Sequence, residues 1–336
     1  MNGHSIQKTA PRPRLGFLGV GWIGRNRMEA IAQSEMAQVV GIADPVPTAA
    51  EEAQKLVPGS QRVDSLDALL ELGLDGLVIA TPSAFHAEQS VRALERGVAV
   101  FCQKPLGRSA EETKRVVDAA RAADRLLGVD LSYRFTTGMR QLRERIQGGA
   151  LGDIYAVNLV FHNAYGPDKA WFYDPKLAGG GCVMDLGIHL VDLAFWVLGF
   201  PEVRRVSSQL FAQGRSLGKR GEAVEDYAAA QLELSSGTAV QLACSWKLPA
   251  GCDAVIEASF YGTKGGAAFR NVNGSFYDFT ADLFWGTRRE RLADPPDAWG
   301  GRAAVDWATR LAHGARFDPE SERLVQVAGA LDRIYG

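Results

Sequence analysis

The sequence predicts an α/β fold in two parts: a doubly wound parallel sheet in residues 1–131, then an α+β domain of mostly antiparallel strands in residues 132–336. Three observations carry this. From Arg14 to Leu131 short apolar runs alternate with stretches of period near 3.6, the pattern of strands covered by helices on both faces. Gly19-Val20-Gly21-Trp22-Ile23-Gly24 lies between the first apolar run and the first helical stretch, so this G-x-G-x-x-G ends a strand and opens a helix. Beyond Gly149 strands follow one another with few helices between them. A chain of 336 residues also exceeds the roughly 250 at which single cores stop growing.

In order, residues 1–13 read as a loose polar tail. Strands are expected at Leu15–Val20, Val39–Ala43, Gly76–Ala80, Val98–Cys102 and Leu126–Leu131, with helices at Ile23–Ala32, Phe85–Arg96 and Ala110–Ala123. Asp44-Pro45, Pro58-Gly59, Thr81-Pro82 and Arg96-Gly97 punctuate them. A helix over Thr137–Gln147 stops at Gly148-Gly149. Strands then fall at Ile154–Phe161, Val203–Phe211, Tyr227–Leu234, Ala239–Trp246, Ala254–Tyr261 and Ala267–Asn271, two of them joined at Ser235-Ser236-Gly237. One strong helix, Met184–Leu198, interrupts the series and ends at Gly199 with Pro201 beyond. Residues 294–301 read as loop, and helices close the chain at Ala303–Ala312 and Pro319–Tyr335.

The formal charge of −2 argues against nucleic acid as a partner, which calls for a concentrated basic surface. No apolar run is read as approaching the roughly 20 residues of a membrane span, and the N-terminus lacks a signal-peptide core. Cys102, Cys182, Cys244 and Cys252 show no zinc spacing and read as reduced thiols of a cytoplasmic protein.

The chemistry begins at the glycine turn. Gly19 permits the tight turn, Gly21 lets backbone approach a pyrophosphate, and Gly24 lets helix and strand pack. The helix opening at Trp22 and Ile23 offers free N–H groups to phosphates. Asp44 ends the next strand, about 20 positions on, where an acid bonds adenosine ribose hydroxyls. Asp44 repels a 2′-phosphate and Pro45-Val46-Pro47 supplies no cation to receive one, so NAD is expected ahead of NADP. Two further turns, Thr81-Pro82-Ser83-Ala84-Phe85-His86 and Cys102-Gln103-Lys104-Pro105-Leu106-Gly107, lie at strand carboxyl ends, where open α/β sheets bind ligands. Lys104 is a cation aimed at that crevice. His86 reads equally as a neighbour of the nicotinamide or as a helix cap. Asp185, His189 and Asp192, at i, i+4 and i+7, fall on one helix face. There the carboxylates are expected to orient the imidazole and raise its proton affinity, making it a general base; the alternative is a hydrogen-bonded core histidine. No metal is expected: H-E-x-x-H is absent and no other His or Cys completes a site. Tyr165, Trp171, Phe172, Tyr173 and Trp246 are candidates to stack on a sugar ring, or core aromatics. The loop 163–178, with Asp168 and Lys169, is the expected specificity element.

In these residues the chain resembles the Gfo/Idh/MocA family, the glucose–fructose oxidoreductase and inositol dehydrogenase group. The matching pieces are Gly19–Gly24, Thr81–His86, Cys102–Leu106, Tyr133-Arg134-Phe135 and Gly180–Asp192, in the family's order. The resemblance implies a Rossmann domain followed by a large open, mostly antiparallel sheet that serves homodimers or homotetramers. It implies an NAD(P)-dependent oxidoreductase acting on a sugar, polyol or cyclitol hydroxyl. It places the catalytic lysine, aspartate and histidine at Lys104, Asp185 and His189, and cleft-lining residues at Tyr133 and Arg134. One departure stands out: the family's usual acid before the lysine is Gln103 here. Two other classes occur among similar proteins, a hydrolase that cleaves glycosides by transient oxidation with held NAD, and a non-catalytic dinucleotide sensor; the retained Lys104, Asp185 and His189 count against the sensor.

Overall fold

The computed structural model describes residues 12–218 and 223–336. Most of the expected N-terminal tail, residues 1–11, lies outside them. The first sheet is built from β1 (Arg14–Leu18), β2 (Gln38–Ala43), β3 (Gln61–Arg62), β4 (Gly76–Ile79), β5 (Ala99–Cys102) and β6 (Leu127–Val129). All pairs are parallel, in the order β3-β2-β1-β4-β5-β6. Strand order reverses between β1 and β4, which opens a crevice above their carboxyl ends. Helices α1 (Trp22–Ser34), α2 (Pro47–Leu56), α3 (Leu66–Leu70), α4 (Ser83–Glu95) and α5 (Ala110–Ala123) connect them. β1, β4 and β5 are buried along almost their whole length, as their unbroken apolar runs require. The glycine turn has steric reasons. Gly19 stands at φ +84°, and a Cβ there would lie 2.6 Å from the Ala80 carbonyl oxygen; one on Gly24 would lie 2.3 Å from that of Gly19.

A 3₁₀ turn at Ser132–Phe135 and α6 (Thr137–Gln147) lead into the second sheet. Its strands are β7 (Ile154–Asn163), β8 (Val203–Ala212), β9 (Arg215–Ser216), β10 (Tyr227–Leu234), β11 (Ala239–Ser245), β12 (Ala254–Gly262), β13 (Gly266–Asn271), β14 (Phe279–Trp285) and β15 (Arg288–Ala293). They lie in the order β15-β14-β13-β12-β7-β11-β10-β8-β9, antiparallel except for the parallel pair of β7 with β11. Between β7 and β8 come α7 (Pro175–Ala178), a π-helical turn at Val183–Gly187 and α8 (Ile188–Leu198). One parity of each strand, including Leu159, Leu232, Leu242, Ile256 and Phe269, packs on α8 and its neighbours in one core. On the other face Asn158, Gln209, Gln231, Gln241 and Glu257 stay partly or fully exposed, while Ser259, Ala268 and Asp282 are buried.

At three places the structure goes beyond or against the sequence expectations. The hairpin β14–β15 lies outside the expected strands, because the charged stretch Arg288–Leu292 masks the alternation of an edge strand. The two closing helices pack against different parts of the fold. α9 (Arg302–Ala312) inserts Ala303, Ala304, Trp307 and Ala308 into the core beneath β1 and β5, while α10 (Arg323–Tyr335) bridges α5 and α8. The run 175–198 is long and apolar enough, at mean hydropathy 1.6, to cross a membrane by length and composition, yet 78% of its apolar window is buried in the fold.

Candidate active site

The site forms where the carboxyl ends of β4, β5 and β6 face the start of α8. At α1 no side chain caps the helix N-terminus and its first turn carries no acid, leaving N–H donors and a partial positive charge for an anion. A Cβ on Gly21 would meet nothing within 4 Å, so the turn is open where a pyrophosphate would approach. Asp44 accepts from the Val20 N–H at 2.7 Å and the Val46 N–H at 2.8 Å. It thereby ties the end of β2 to the glycine turn. These features fit a dinucleotide.

Across the crevice Lys104 meets Asp185. The lysine Nζ donates to Asp185 Oδ1 at 2.6 Å and to its carbonyl oxygen at 2.8 Å. Asp185 Oδ2 accepts from the Trp246 indole N–H at 3.1 Å. Trp246 in turn meets the edges of Phe172 and Tyr173, with ring centroids 6.3 and 5.7 Å away. Trp171 stacks on Phe172 at 3.8 Å. The aromatic wall of the loop 163–178 is thus joined to Asp185 through one indole. α7, at the end of this loop, packs on α4 of the first domain.

His189 is half-buried beside this pair. Its Nδ1 is sealed from solvent and bonded to no described residue, which leaves Nε2 as the nitrogen open to the cleft. Tyr133 packs edge-on against the imidazole at 5.0 Å, and burial pushes that phenol's pKa up. The expectation that two carboxylates raise the proton affinity of His189 is corrected. Asp185 is turned to Lys104 and Trp246, and Asp192 to Arg134, because the π-helical turn shifts the helical phase between Asp185 and Asp192. Burial, and then the charges of Lys104 and Arg27, hold His189 well below the ordinary histidine value.

Two other expectations change. Arg134 does not project freely as a cleft residue: its guanidinium grips Asp192 at two points, one at 2.6 Å from Nε, and lies against Trp196 and Phe200. His86 neither caps α4 nor lines the crevice. It is 1% exposed, with Nδ1 2.7 Å from the Pro105 carbonyl oxygen and Nε2 2.7 Å from that of Thr81. It braces the two ligand-edge turns, and burial lowers its pKa.

Sequence reasoning missed two buried supports. Glu225, 1% exposed, accepts from the Gly181 and Val183 N–H groups at 2.9 Å each and from the Tyr335 hydroxyl at 2.8 Å. It fixes the start of the π-helical turn that presents Asp185. Asp130, at the end of β6, joins Arg27 of α1 to Gln103. Both partners lie far away in sequence, and no local spacing marks them.

The chain matches the model of the oxidoreductase family with an NAD-binding Rossmann fold over residues 14–131, and that of the GFO/IDH/MocA C-terminal domain over residues 139–268. It is 32% identical over 276 residues to a D-glucoside 3-dehydrogenase of Escherichia coli K12, covering 76% of each chain. It is 28% identical to an inositol 2-dehydrogenase of Rhizobium meliloti, covering 77% of this chain and 76% of that protein. A levoglucosan dehydrogenase solved with NADH and L-sorbose has the same fold, at TM-score 0.81 and 21% identity, with 96% of both chains covered. The glycine turn over an uncapped helix, the crevice at the strand ends and the nine-stranded second sheet agree with these matches, and the chain belongs to the Gfo/Idh/MocA family of oxidoreductases with an NAD-binding Rossmann domain.

Proposed function

We propose that the protein is an NAD-dependent dehydrogenase of a sugar, polyol or cyclitol, with Lys104, Asp185 and His189 as catalytic residues. The observation that carries this is the meeting of Lys104 Nζ with Asp185 Oδ1 at 2.6 Å beside a half-buried His189 that bonds neither carboxylate. Bound NAD supplies the hydride acceptor. His189, neutral because its pKa is depressed, takes the hydroxyl proton at Nε2. The Lys104 ammonium stands where a developing alkoxide forms, in a cleft where a fixed cation acts more strongly than in water. Asp185 anchors Lys104 and offers its carboxylate to the substrate. Trp171, Phe172 and Tyr173 stack on the apolar face of the ring. Gly19, Gly21, Trp22, Ile23, Gly24, Asp44, Thr81, Pro82 and Gln103 hold the cofactor, with Asp44 selecting NAD over NADP.

The relatives named above support the substrate class, two being dehydrogenases of a glucoside and an inositol. The partly exposed parity of the second sheet supports a homo-oligomer joined face to face. Cys182 and Cys244, unbridged with sulfurs 3.9 Å apart, support a reducing cytoplasm. The test is NADH formation across inositols, aldoses, methyl glucosides and sugar acids, for the native protein and for Lys104→Met. Turnover on one class, lowered at least about a hundredfold in the variant, is expected. Turnover unaffected by Lys104→Met would contradict the assignment.

A further inference from the structure

Gln103 presents an amide where the family usually carries an acid, and its surroundings show what replaces the charge. Its side-chain NH₂ lies 2.6 Å from Asp130 Oδ2. That same oxygen accepts from Arg27 Nε at 2.6 Å. Arg27 is 5% exposed and Asp130 1%. The orientation of the amide follows from chemistry: an ionised carboxylate only accepts, so the NH₂ and not the oxygen must face Asp130. Gln103 Oε1 therefore points away from Asp130. It accepts no hydrogen bond from a described residue and is not among the sealed, unpartnered atoms. Its backbone sits at the end of β5, with its N–H on the Ile79 carbonyl, one residue before Lys104. Gln103 is 8% exposed, and with its NH₂ held by Asp130 its oxygen is left as an unpaired acceptor at the end of β5.

We propose that Asp130 is the positioning residue of this site. The acid that faces this turn stands at the end of β6, where its Oδ2 is paired with Arg27. From there it locks Gln103 as an acceptor for a hydroxyl of a bound ligand, either a ribose hydroxyl of NAD or a hydroxyl of the sugar. The inference rests on the dehydrogenase reading above. It makes a definite statement about charge. A glutamate at position 103 is incompatible with Asp130, since two carboxylates would then share one arginine in a buried place. It is compatible with asparagine at 130, whose oxygen can accept from Arg27 while its NH₂ donates to the glutamate.

The experiment compares the native protein, Asp130→Asn, Gln103→Glu and the double variant Gln103→Glu/Asp130→Asn. NADH binding is followed by fluorescence. KM and kcat are measured with the sugar that the native protein turns over best in the panel above, and thermal midpoints are recorded for each. If the native protein binds no NADH, the dehydrogenase reading fails, whatever the variants do. If it binds, each single variant is expected to weaken ligand binding about five- to tenfold with a smaller change in kcat, and the double variant to recover to within about twofold of native. A raised Kd for NADH assigns the hydroxyl to the cofactor; an unchanged Kd with a raised sugar KM assigns it to the sugar. Positioning is separated from mere folding by the readout, since a purely structural loss lowers the thermal midpoint without a selective rise in the Kd for NADH or the sugar KM. Gln103→Glu binding as tightly as native, or a double variant worse than both singles, overturns the proposal.

Discussion

In the proposed mechanism the chemistry at His189 turns on a single proton. Burial and two neighbouring cations depress the pKa of this imidazole, so it stays neutral through the neutral range. Its base form is lost only as pH falls through the depressed value. The acid limb of kcat/KM is therefore predicted below the roughly 6.5 of an ordinary histidine. A limb centred above 7 in a pH-rate profile would contradict this electrostatic account. His189→Ala is expected to lower kcat by about 10²- to 10⁴-fold while the Kd for NADH changes little; equal losses in both would make His189 a binding residue instead. Asp44, with its oxygens on the backbone N–H groups of Val20 and Val46, is the residue proposed above to select NAD over NADP. Asp44→Ser should weaken NAD and narrow the gap to NADP, as read from the two KM values.

At the scale of elements, the site depends on how α8 begins. The turn 179–187 is not a regular helical entry; it is held by a buried carboxylate from the strand side. Glu225→Ala leaves the Gly181 and Val183 N–H groups and the Tyr335 hydroxyl without this acceptor. The expected cost is about 3 kcal/mol, a melting midpoint lower by roughly 5 °C, with kcat falling as Asp185 loses its placement. A midpoint equal to native would show that the turn holds itself. This is also where legibility ended. The strand–turn–helix at Gly19–Gly24, the two ligand-edge turns and the spacing of Asp185 and His189 are local patterns, and they were readable. The π-helical turn was not, because its phase shift follows from packing against Glu225 and Tyr335, residues 40 and 150 positions away. The contacts of Arg134 and His86 are hidden from the sequence for the same reason: each is engaged by partners brought near only by the fold.

In the whole molecule the two sheets share one C-terminal segment. α9 completes the core of the first domain and α10 runs from α5 to α8, so a helix from the far end of the chain ties the two domains together. The sequence pattern showed that these helices exist but not which sheet they cover, since amphipathic faces carry no address. The partly exposed residues of β7, β10 and β11 lie on the face proposed above to join a homo-oligomer. Ala243, paired with Ala229 near the middle of that face, is the place to test it. Ala243→Arg is predicted to convert the oligomer to monomer in light scattering with little change in thermal midpoint; an unchanged mass would move the interface elsewhere.

Net oxidation of a hydroxyl by NAD at Lys104, Asp185 and His189 is tested most directly by the ratio of NADH formed to sugar consumed, measured on the best substrate of the panel. The account predicts one NADH for each sugar oxidised, with His189→Ala lowering both together. Sugar consumed without NADH would show transient oxidation and re-reduction instead, and would contradict it.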